Sequence, residues 1–177
     1  IRDRAGVAAK AEFAVKNYRL SHEQAIHALE ALERTEAALA EQAQAAVEAM
    51  RARLTDLSAL AVDETGRSLL TGLVAQTATC EQARESGDLR SAFTQAEQFR
   101  TAADQVETQL KSHNLAVQRD RLLAQLGQAK QQGITLFVQE SAGTIEQMLQ
   151  RFNPLARTED YGEAQQELAA LEEQIQQ

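Results

Sequence analysis

The chain has 177 residues, 44% hydrophobic and 25% charged, with a net charge of −8. That length suits one domain or two small stacked modules and excludes a large multidomain enzyme. With 1 proline and 8 glycines the sequence lacks the turn-formers of a sheet-rich fold, and 4% aromatic residues with no Trp argue against a deep aromatic cofactor pocket.

Alanine (33) and glutamine (22) are strong helix formers, so long helices with thin, small-residue interfaces are predicted. The acidic balance and the scattering of the 18 basic residues disfavour nucleic acid or an anionic membrane surface as partner. Cys80 stands alone, which excludes an internal disulfide framework and a multi-cysteine zinc site. It is expected to pack as a small apolar residue. No apolar run approaches the roughly 18 residues that span a bilayer. The chain opens on Ile1, so it is read as a piece of a longer protein, with any membrane segment outside it.

In chain order, the first helix starts at Arg2. Ser21-His22-Glu23-Gln24 has capping-box spacing, which predicts a kink or restart at Ser21. From there Leu32, Leu39, Ala43, Ala46, Met50, Leu54 and Leu57 predict one buried seam. Asp63-Glu64-Thr65-Gly66 ends this helix near Val62. A second helix runs from Arg67 to about Glu85 and stops at Ser86-Gly87, with Asp88 placed to cap the third. Leu89, Phe93, Ala96, Phe99, Ala103, Val106 and Leu110 mark the core face of the third helix.

His113-Asn114 is predicted as a turn, since both residue types are poor in helix interiors. A fourth helix then covers Leu115 to Phe152, kinked at Gly133, because the strand-like patch at 133–138 has no strand to pair with. Asn153-Pro154 stops it, Thr158 caps a fifth, and Tyr161, Ala164, Leu168, Leu171 and Ile175 follow a 3-4-3-4 spacing.

The expected fold is all-α, with long antiparallel helices forming one or two stacked four-helix bundles. The upper bundle would take residues 40–135, and the lower 10–40 with 136–177. Counting helix heights leaves the lower one short of a further, descending C-terminal helix unless a second copy supplies it.

A long first helix interrupted at Asn17-Tyr18-Arg19-Leu20-Ser21, two short helices, a long descending one and another short one resemble the helical bimodular sensor domain of bacterial methyl-accepting chemotaxis receptors. In residues the resemblance is carried by Ala11 to Leu20. The four-helix-bundle sensors of chemoreceptors and histidine kinases look similar. The resemblance implies a periplasmic domain of an inner-membrane receptor that binds a small organic acid, dimerises along its helices and passes on a helix displacement. Its membrane link would run through segments outside this chain.

Catalysis has little support: His22, His27 and His113 fit no HExxH spacing, and neither a nucleophile elbow nor a glycine-rich phosphate loop occurs. No metal or cofactor is expected, and Glu159, Glu163 and Glu167 read as a solvated row. An acid-binding site needs cationic donors from facing helices. Lys16 and Arg19, at i, i+3, are the first candidates, with Arg151, Arg157 and Tyr161 as expected neighbours from the helices opposite; solvated stem residues are the plain alternative. A second candidate sets Arg119 and Arg121 near Arg67 and the Asp63–Gly66 turn. Phe13, Tyr18 and Tyr161 are expected to cover the core. The competing reading is a non-enzymatic helical spacer or adaptor for a protein partner. An internal polar interruption of the apolar seams would separate a sensor from it.

Overall fold

A computed structural model describes residues 2–131 and 139–176. It is all-α. Among these residues the order is α1 (Arg2–Leu60), α2 (Glu64–Glu85), α3 (Leu89–Gln131), α4 (Gln139–Arg151), a short 3-10 turn (Leu155–Arg157) and α5 (Tyr161–Gln176).

α1 is one uninterrupted helix of 59 residues, about 88 Å long. The expected break at Ser21 is absent. A capping box supplies two hydrogen bonds that a continuing helix supplies through its own ladder, so helix-forming flanks override it. α2 begins at Glu64, three residues before the predicted Arg67, because the Asp63 carboxylate accepts from the Gly66 amide at 2.8 Å and so caps the helix earlier. Gly66 is buried here, and a Cβ on it would stand 3.1 Å from the Ala61 Cα, so a larger residue would have to push the end of α1 away by a few tenths of an ångström. Gly87 closes the α2–α3 turn at φ +79°, a conformation that favours glycine. Asp88 then caps α3 through the Ser91 amide at 3.0 Å.

α3 passes straight through His113-Asn114, so the predicted turn there is corrected. The expected fourth helix is divided: residues 115–131 complete α3, and only Gln139–Arg151 runs back along it as α4. The Lys130–Glu146 ion pair joins residues that an unbroken helix would hold about 24 Å apart, so α4 packs back against α3. The kink expected at Gly133 and the patch at 133–138 lie outside the described residues. After α4, the Asn153 side chain accepts from the Leu155 amide at 3.2 Å. Thr158 does not cap α5. Its hydroxyl donates to the Leu155 carbonyl at 3.1 Å, and the first α5 turn closes on the Asp160 carbonyl.

Two cores stack along α3. The first joins Val47, Met50 and Leu57 of α1, Leu70, Leu73 and Cys80 of α2, and Phe99, Ala103 and Leu110 of α3. The second joins Leu115, Leu122 and Leu126 of α3, Ile145 and Leu149 of α4, and Ala164, Leu168 and Leu171 of α5. Burying each such leucine is worth about 2 kcal/mol, against about 0–1 for an exposed ion pair, so apolar burial sets both cores. Cys80 is fully buried, as expected, and burial pushes its thiol pKa up. The α5 spacing is used in full, with Tyr161 and Ile175 packed at the margins of the second core.

The predicted seam of α1 is buried only from Ala43 onward. Leu32 and Leu39 are exposed, as are Phe13 and Tyr18, which cover no core. Residues 10–42 of α1 contribute to neither core, and the second core is built on 115–131 where 10–40 was expected.

Candidate functional site at the junction of the two cores

The apolar packing is interrupted where α1 ends, α2 begins and α5 begins, all against the middle of α3. Asn114 donates its side-chain amide to the Leu60 carbonyl at 2.8 Å and to the Tyr161 hydroxyl at 3.2 Å. One residue earlier, His113 Nε2 lies 2.8 Å from the second carboxylate oxygen of Asp63. The two residues that looked like helix breakers therefore serve two other helices: Asn114 satisfies an orphan carbonyl of α1, and His113 holds the cap of α2.

Around this pair, the Gln165 amide donates to the Tyr161 hydroxyl at 2.9 Å. The Lys111 ammonium sits 5.9 Å from the centre of the Tyr161 ring and 2.7 Å from Glu107. Arg53 of α1 reaches Glu107 and, at 3.3 Å, Asp104. Lys111 and then Arg53 hold the Glu107 carboxyl below the usual range, against a partial burial that opposes it. Asn114 Oδ1 is shielded from solvent and has no hydrogen-bond partner among the described residues. A buried acceptor left open costs about 1–3 kcal/mol, and a ligand donor would recover it.

The Asp63 carboxyl titrates below its ordinary value, first because the Gly66 amide donates to it and then because of His113. A lowered carboxylate stabilises the native state fully above the ordinary aspartate pKa of about 3.9, and that contribution is lost as pH falls through the lower folded value. Asp63→Ala is expected to lower the thermal midpoint at neutral pH. The gap from the parent protein should close on acidification, as measured by circular dichroism melts; a pH-independent gap would show that Asp63 acts only through packing.

Of Lys16, Arg19, Arg151 and Tyr161, picked from the sequence as ligand contacts, only Tyr161 belongs to this junction, beside the Asp63–Gly66 turn of the second candidate. Lys16 and Arg19 stand on the exposed half of α1, with Ala11, Glu12 and Val15 beside them. The 41 helical rises from Arg19 to Leu60 make about 60 Å of helix, so neither cation can meet Tyr161 in one molecule. Arg151 is exposed in the last turn of α4. Arg121 pairs with Glu172 at 3.0 Å and Arg119 with Asp120, and it is His113 that α3 brings to the Asp63–Gly66 turn.

Asn114, His113 and Lys111 were missed because their partners lie about fifty residues away in sequence. The one available signal was a pair of poor helix formers inside an otherwise strong helix. Among the described residues no group of three or more His, Cys, Asp or Glu is placed to hold a metal, and no helix is long and apolar enough to cross a membrane. Comparison with protein-family models, curated proteins and solved structures gives no match to the chain.

Proposed function

We propose that the chain is a non-enzymatic sensor domain of a transmembrane receptor of the chemotaxis type, and that it binds a small organic acid at the junction of its two cores. The observation that carries this reading is the polar interruption itself. Lys111 offers a cation, the Tyr161 hydroxyl a polar hydrogen, and Asn114 Oδ1 a shielded acceptor to a ligand hydroxyl. Asn114 touches the end of α1 and the start of α5 at once, so a ligand that shifts it shifts both helices against α3. A small difference in affinity between two packings is enough to move their populations. The periplasmic setting, the membrane anchor outside the chain and a homodimeric assembly belong to the same proposal and follow the resemblance of Ala11–Leu20.

A thermal-shift screen of organic acids, amino acids and aromatic acids tests it. A ligand at one hundred times its dissociation constant stabilises the native state by about 2.7 kcal/mol. One chemical class should raise the midpoint, and Lys111→Met should remove the rise while leaving the unliganded melt cooperative. A cooperative melt that no compound moves would favour the second reading, a helical spacer or adaptor. The exposed apolar residues of α1 speak for that reading.

A further inference from the structure

We draw no further inference here: the strongest candidate, the exposed apolar face of α1 from Val15 to Leu39, carries nothing, because nothing in the structure shows what covers it.

Discussion

Val117→Pro is expected to turn one unfolding transition into two. Val117 is exposed, so the substitution leaves both cores their side chains and acts on the backbone of α3 alone. Proline removes the amide that bonds four residues back and its ring clashes with that carbonyl, at about 3 kcal/mol in a helix interior. The affected carbonyl is that of His113, between Leu110 of the first core and Leu115 of the second. Rigid continuity of α3 there is the main link between the units, since the other links are polar contacts of Asn114 and Lys111 with Tyr161 and of Asn114 with the end of α1. Calorimetry on Val117→Pro and on Val117→Ala as control decides the matter. Two transitions, or a van't Hoff enthalpy well below the calorimetric one, show that α3 couples the cores. A single transition moved to lower temperature shows that the polar contacts suffice.

Leu57→Ala should destabilise the chain by about 2–5 kcal/mol, and Leu32→Ala by less than about 0.5. Both leucines lie in the same predicted seam. Leu57 is fully buried against α2 and α3, where removing its methyls leaves a cavity; Leu32 loses surface that water already reaches. Urea titration with a common slope measures the difference. Equal costs would mean that α1 is covered along its whole length in solution.

Much of the fold was legible in the sequence wherever the deciding chemistry is local. Asp63, Ser86-Gly87 and Asp88 mark helix ends because capping bonds and a left-handed glycine act within four residues. Pro154 stops α4 for the same kind of reason, and the 3-4-3-4 spacing of Tyr161 to Ile175 states which face of α5 is buried.

What only the tertiary structure decided depends on partners far along the chain. Periodicity names the buried face of a helix and not its neighbour, so Leu32 and Leu57 looked alike although only one is covered. Ser21 carries a sound capping signal that loses to a helix able to satisfy the same amides itself. His113 and Asn114 read as a break because their propensity counts against a helix, yet the bonds to Asp63, Leu60 and Tyr161 outweigh a few tenths of a kcal/mol of propensity. That one misplaced turn exchanged the direction of residues 115–131, put Lys16 and Arg19 beside Tyr161 when about 60 Å of helix separates them, and hid the polar junction. Helix composition and caps were properties of the sequence, whereas the point at which α3 passes from one core to the other was set by side chains bonding across helices.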